Sequence, residues 1–373
     1  MKKMFLRMFV CLIVICGLTV FTFAGPAEVD GTKCGHGHVK QKLRAYFNQL
    51  AEEEFFTGSV LIAQKGKILL TKGYGMANYE EGILNKPKTV FAIASMTKAF
   101  TSMSIMLLEE RGFLSVDDPV SNYVPELPEG DRITIHHLLT QTSGLFEYLA
   151  CPDLFANLNN FHTPDDLLQY YMYEPLSFDP GTQHQYSNPN YITLGIIIER
   201  VSGMPFRDFI EANILRPLKM RHTSYDPYGE DFPRKAIGYD DISTDPPTRS
   251  MTIHNSISYS AGAMCSSVMD LYKWDQALYT DKLVSKETLE RMFTPGFGDY
   301  GYGWYIDNLE IGNELHKQIW HWGSYFGFHS YIARLVDDEV TVIILRNTPQ
   351  LTASPYELRP IVTDVTSIIF GED

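Results

Sequence analysis

Ser95 and Lys98, in the run Phe91-Ala92-Ile93-Ala94-Ser95-Met96-Thr97-Lys98, are the pair best placed by type and spacing to do covalent chemistry. On a helix beginning near Ser95, the i to i+3 spacing puts both side chains on one face and within reach of each other. A serine hydroxyl is a weak nucleophile until a neighbouring base takes its proton. Lysine serves as that base only where burial or nearby positive charge lowers its pKa. A helix N-terminus adds backbone N–H groups aimed at developing negative charge. The pattern alone is weak, because a Ser-x-x-Lys match arises by chance roughly once or twice in a chain this long. As a plain helix cap followed by a solvated lysine it would do nothing.

Two further groups strengthen it. Tyr186-Ser187-Asn188 is expected in a loop between Pro180-Gly181 and a helical run from Tyr191 to Val201. There Tyr186 can relay a proton, and Asn188 can donate its amide to a substrate carbonyl or hold Lys98. His321-Trp322-Gly323 closes a predicted strand and is followed by Ser324. Gly323 lets substrate approach the strand backbone, and the Ser324 N–H can pair with that of Ser95 as an oxyanion hole. His321 can orient substrate or adjust the charge around the base.

With these three elements in this order, the sequence resembles the penicillin-recognising serine hydrolases: class C beta-lactamases, D,D-carboxypeptidases and their esterase and D-aminopeptidase relatives. The likeness extends to Leu138-Leu139-Thr140-Gln141-Thr142-Ser143-Gly144-Leu145, to Phe178-Asp179-Pro180-Gly181, and to Tyr186 through Tyr191 with Gly195, Glu199, Ser202 and Gly203. Leu215 to Met220 and Ser260-Ala261-Gly262 continue it, so that recognisable blocks run from about 40 to 346. The resemblance implies Ser95 as nucleophile, Lys98 as the acylation base and Tyr186 as proton relay. It further implies that Asn188 binds the substrate amide and that His321 takes the family's lysine-or-histidine position. Ser95 and Ser324 then supply the oxyanion N–H pair, in a covalent acyl-enzyme mechanism on amide, beta-lactam or ester carbonyls. Beta-lactamase or D,D-peptidase relatives lead, with an esterase or D-aminopeptidase, or a penicillin-binding sensor that barely turns over, as alternatives.

One departure bears on substrate. Many penicillin-active relatives carry a hydroxyl residue where this chain has Trp322, and indole offers one N–H donor with far greater bulk. Strand alternation also permits Trp322 to point into packing, leaving only its backbone at the site. Histidine at 321 removes a permanent positive charge.

The elements that must hold these residues are legible as periodicities. Val39, Leu43, Tyr46, Phe47 and Leu50 predict a helix over 39–53. Strands are expected at 57–64 and 67–74, then at 314–322, 328–336 and 340–346, with a closing helix after Pro360. Between them lie helical segments at 96–110, 134–141, 164–172, 190–201, 205–213, 267–277 and 285–292. The expected fold is α/β (α+β): an antiparallel sheet assembled from both chain ends, flanked by helices and carrying a large, mainly helical insertion over 94–294 of a catalytic domain at 39–373. The tracts 146–162 and 229–251 are candidate walls of the acyl pocket.

The bulk numbers bound the remaining choices. A chain of 373 residues with 45% hydrophobic composition can bury a substantial core, and its net charge of −14 repels polyanions. Nucleic-acid binding is therefore not expected. Lys2, Lys3 and Arg7, the apolar run Met8 to Phe23 and Thr22-Phe23-Ala24 predict a signal peptide at 1–24 followed by a flexible lead-in at 25–38. This implies export to a periplasmic or extracellular location, with a retained N-terminal membrane anchor as the alternative, and makes cell-wall peptides the default partner. Loss of that segment takes the charge to −17 and leaves Cys34, Cys151 and Cys265, too few for a disulfide framework. No His-Glu-x-x-His segment or glycine-rich phosphate loop is present, and Cys34 to His38 offers only three ligands, so neither a metal nor a cofactor is expected.

Overall fold

Along the first strand, Val60 and Ile62 point to one face while Leu61 and Ala63 point to the other, and all four are buried. A strand apolar on both faces must sit inside a sheet covered on both sides. The computed structural model, which describes residues 36–53, 55–226, 234–348 and 358–372, shows that arrangement. Strands β1 (Gly58–Gln64), β2 (Lys67–Tyr74), β3 (Tyr305–Ile311), β4 (Glu314–Tyr325), β5 (Phe328–Leu335) and β6 (Val340–Arg346) form a sheet in the order β3-β4-β5-β6-β1-β2. Every neighbouring pair is antiparallel, and the two halves of the chain join where Gly58 pairs with Arg346 and Gln64 with Val340.

Helices α1 (His36–Glu52) and α5 (Leu358–Phe370) cover the face presented by Val60, Ile62, Tyr331, Val342 and Ile344, through Val39, Leu43, Phe47, Val362 and Val365. Burying each such side chain stabilises by roughly 1.5–3 kcal/mol. The other face packs on the helical insertion, whose central helix α2 (Thr97–Glu110) is buried on all sides from Thr97 to Leu108. Beside it lie α3 (Asn188–Ser202), closed by Gly203 at φ +67, and α4 (Val268–Ala277). Asp275 of α4 ties the insertion to the sheet beneath. It accepts from Arg334 Nε of β5 at 2.6 Å and from Thr341 Oγ1 of β6 at 2.7 Å, with Asp275 and Arg334 both buried.

Several expectations need adjustment. Strand β3 was not among them, because Asp307-Asn308 interrupts its alternation; pairing with β4 holds it in the sheet. The closing helix starts at Leu358 and takes Pro360 into its first turn, where the missing N–H has no intrahelical partner to lose. The alternative of a retained N-terminal anchor is corrected: among the described residues no helix is long and apolar enough to cross a membrane. The segment 1–24, to which the leader and anchor were assigned, lies outside the described residues, as do residues 25–35 of the lead-in, including Cys34. Cys151 and Cys265 are free thiols.

Candidate active site

Ser95 lies in a 3-10 turn, Ala94–Met96, that feeds directly into α2. Ala94 holds φ +46, a left-handed conformation that costs a non-glycine residue about 1 kcal/mol and persists only where neighbours enforce it. Here Ile93 N donates to Met264 O at 2.9 Å, and Ser330 Oγ donates to Ile93 O at 2.7 Å. The turn is thereby clamped between the insertion and β5.

Lys98 follows within the first turn of α2 and is fully buried. Its Nζ lies 3.2 Å from Ser95 Oγ, 2.8 Å from Asn188 Oδ1 and 2.9 Å from the Ala261 carbonyl. A neutral amine satisfies this set well: its two hydrogens go to the two oxygens, and its lone pair is left for the serine hydroxyl. Burial pushes the Lys98 pKa down to about 7, against an opposing pull from Glu147. A lysine so placed is a free base for a large part of its population near neutrality.

Tyr186 presents its ring 4.8 Å from Lys98 Nζ. The ring is half-buried but the hydroxyl is sealed from solvent, with no partner of good hydrogen-bond geometry. Burial pushes the phenol well above its ordinary range and the Ser95 hydroxyl opposes that push, so the group stays protonated and can give a proton. Asn188 is the first residue of α3 and not a loop residue as expected. The segment Leu138–Leu145 holds the residues just before it: Gln141, at φ +61, accepts from Ser187 N at 2.9 Å through Oε1 and from Gln185 N at 3.0 Å through its carbonyl. Ser187 Oγ donates to Leu145 O at 3.1 Å.

Across the cleft, β4 presents His321 and Gly323 to this group, while Trp322 turns its ring to the opposite face among the residues packed by α1 and α5. The Trp322 side chain therefore does not line the site; the period of two along a strand sends it away. His321 is buried, with Nδ1 2.7 Å from the Trp322 carbonyl and Nε2 3.2 Å from Tyr300 Oη. A carbonyl can only accept, which places the proton on Nδ1 and makes Nε2 the acceptor for Tyr300. Burial and the Lys98 charge push its pKa down to about 3, so the ring is neutral at physiological pH. Ser324 is exposed and pairs with His329 of β5. Pairing with β3 ends at Tyr305 and Trp320, so β3 does not cover the edge of β4 from His321 to Tyr325.

Gly323 is the point of closest approach. A Cβ there would sit 2.2 Å from Ile93 O and 2.9 Å from Ser95 N. Gly323→Ala is expected to push β4 off the Ser95 turn, lowering the acylation rate by roughly 100-fold together with the melting temperature. Stopped-flow acylation and thermal unfolding check this, and a variant with wild-type acylation would remove Gly323 from the site.

Two residues of the site escaped the sequence reading. Glu147, just past the segment Leu138–Leu145, accepts from Asn188, and Tyr300 pins His321. Neither lies in a short pattern that signals chemistry. A cavity of about 1150 Å³ adjoins the site without containing it: Tyr325, Phe326 and Phe328 form one wall, and Asn159, Met251 and His254 another. Asn159 of the tract 146–162 and residues 234–238 and 249–251 of the tract 229–251 thus line this space, whereas Ser95 and Lys98 do not; residues 229–233 of that tract lie outside the described residues. Among the described residues no group of three or more His, Cys, Asp or Glu is arranged to hold a metal ion.

A helical insertion seated on an end-joined antiparallel sheet, with a serine at their junction, defines a serine hydrolase of beta-lactamase-like fold. The chain belongs to the Beta-lactamase family, whose model it matches over residues 43–366. It is 34% identical over 358 residues to a protein of Bacillus subtilis (strain 168) named as penicillin-binding, covering 89% of this chain and 76% of that one. A second protein of that strain so named, PbpX, is 36% identical over 267 residues, covering 71% of this chain and 65% of PbpX, just under two thirds of its length. Among solved structures, a D-stereospecific amidohydrolase from Streptomyces sp. superposes with a TM-score of 0.69 at 26% identity, covering 84% of this chain and 94% of that one.

Proposed function

We propose that this enzyme is a serine amidohydrolase that cleaves small peptide or amino-acid amides through an acyl-enzyme on Ser95. The observation that carries the reading is the buried Lys98 amine, 3.2 Å from the serine hydroxyl. Lys98 takes the Ser95 proton as Oγ attacks the carbonyl, and the N–H groups of Ser95 and Ser324 stabilise the resulting oxyanion. Tyr186 protonates the departing amine and recovers its proton from Lys98. Water, deprotonated by Lys98, then attacks the acyl group, and Lys98 returns that proton to Ser95 Oγ as the acid departs. The unpaired edge of β4 supports an extended substrate lying along it, with Asn188 on its other side.

The neutral, doubly engaged His321 supports amides over substrates that need a cation for a carboxylate, and the likeness to a D-stereospecific amidohydrolase agrees with this. The relatives named as penicillin-binding favour a second reading, acylation by penicillin. An intact-mass time course with benzylpenicillin, run beside ammonia release from D-phenylalanine amide, tests both. Amide turnover supports the first, and a penicilloyl adduct without amide turnover supports the second. Neither reaction between pH 6 and pH 9 would sink the proposal.

Because the free amine is the base, kcat/KM should rise with pH along a limb centred on about 7, the Lys98 value, and then level off. A limb at the ordinary lysine range near 10.4 would reject Lys98 as a desolvated base.

A further inference from the structure

Glu147 is absent from the chemistry above, yet it stands directly behind it. It is partly exposed and flanks the 3-10 turn Tyr148–Ala150. Its Oε2 accepts from Asn188 N at 2.7 Å and from Asn188 Nδ2 at 3.2 Å, and its Oε1 accepts from Leu149 N at 3.1 Å. All three bonds are accepted and none is donated, which suits an ionised carboxylate; burial pushes the Glu147 pKa up, and these bonds together with the Lys98 charge oppose that push. An amide side chain has two faces that differ only in which end is O and which is NH₂. Glu147 decides between them, because its carboxylate can pair only with the NH₂ end.

With Nδ2 held on Glu147, Oδ1 is turned toward Lys98 Nζ at 2.8 Å. The opposite orientation would aim NH₂ at the amine and remove one of its two acceptors. The second hydrogen on Nδ2 stays free for a substrate carbonyl. A carboxylate this close also acts on Lys98 through space, and it opposes the effect of burial.

We propose that Glu147 is a positioning residue that acts through Asn188, fixing the amide so that Lys98 is held as the base. This rests on the assignment of Ser95 and Lys98 made above. The titratable groups facing Lys98 are Glu147, Tyr186, Tyr191 and His321. Burial holds both tyrosines as phenols and His321 as a neutral ring near pH 7, so Glu147 supplies the negative charge among them.

The test uses p-nitrophenyl acetate, an activated ester that acylates a competent serine without a peptide amide. The wild type, Glu147→Gln, Glu147→Ala and Ser95→Ala are compared as kcat/KM from pH 5 to 9, with melting temperatures alongside. Glutamine keeps an acceptor oxygen and loses the charge, so its rate on the alkaline plateau should stay within about threefold of wild type. Its acid limb should move down by about half a pH unit or more, since the lysine loses a favourable charge. Alanine loses the acceptor as well, and its plateau should fall by about tenfold or more with little change in KM. Wild-type limbs and plateaus in both variants would overturn the inference, as would an upward shift of the limb. Should alanine fail to fold, the limb of the glutamine variant decides alone. Ester hydrolysis undiminished in Ser95→Ala would instead bring down the nucleophile assignment, so the two failures are told apart.

Discussion

Ser95→Ala is expected to yield a folded protein that forms no acyl adduct and turns over no amide. The substitution removes one oxygen, whose hydrogen-bond partner of good geometry is Lys98 Nζ at 3.2 Å. The serine is only partly buried, and its backbone place is set by the Ile93 and Ser330 bonds, which alanine leaves untouched. Melting should therefore change by no more than a few degrees. Turnover should fall by roughly a millionfold, the scale seen when a covalent nucleophile is lost while binding and oxyanion groups remain. Mass spectrometry and steady-state kinetics on one preparation read both effects. A variant with full turnover would show that another group attacks the carbonyl.

Lys98→Met carries the second largest effect, a fall in acylation rate of roughly 10³- to 10⁴-fold. Methionine matches the length and burial of the lysine stem but cannot take a proton. Without a base the serine hydroxyl attacks as the neutral alcohol, and raising the pH no longer helps. The limb centred on about 7 should accordingly disappear, which distinguishes loss of the base from simple misplacement of the serine. The fold should weaken modestly, because Asn188 Oδ1 and the Ala261 carbonyl lose a donor in a buried place at about 1–3 kcal/mol each. Removing an amine from the interior offsets part of that. A variant that kept the limb would assign it to another group.

The parts of this site that the sequence made legible are those governed by local spacing. Ser95 and Lys98 meet because one helical turn brings i and i+3 together. His321 and Gly323 share a face because a strand repeats every two residues, and the same rule sends Trp322 away. That last choice needed the sheet itself, since periodicity says which residues share a face but not which face meets the cleft. Asn188 was placed in a loop because the helical run was read only from Tyr191, yet α3 begins at Asn188 with Pro189 second, a position compatible with a helix start. Glu147 and Tyr300 were invisible for a different reason: their partners, Asn188 and His321, lie far off in the chain. The same holds for β3, whose place is secured by pairing with β4 and not by its own interrupted pattern.

The pairing of β1 with β6 also constrains how the enzyme comes into being. Gly58 and Arg346 must find each other across nearly the whole described chain, and Gly323 must then settle against Ser95. Long-range pairings of this kind pay their loop-closure entropy before any contact repays it, so they form late. During synthesis Ser95 and Lys98 emerge well before β4, the strand that brings Gly323 against the Ser95 turn. A ribosome-bound chain would carry the nucleophile without the means to use it, and reactivity would switch on in the same cooperative event that closes the sheet.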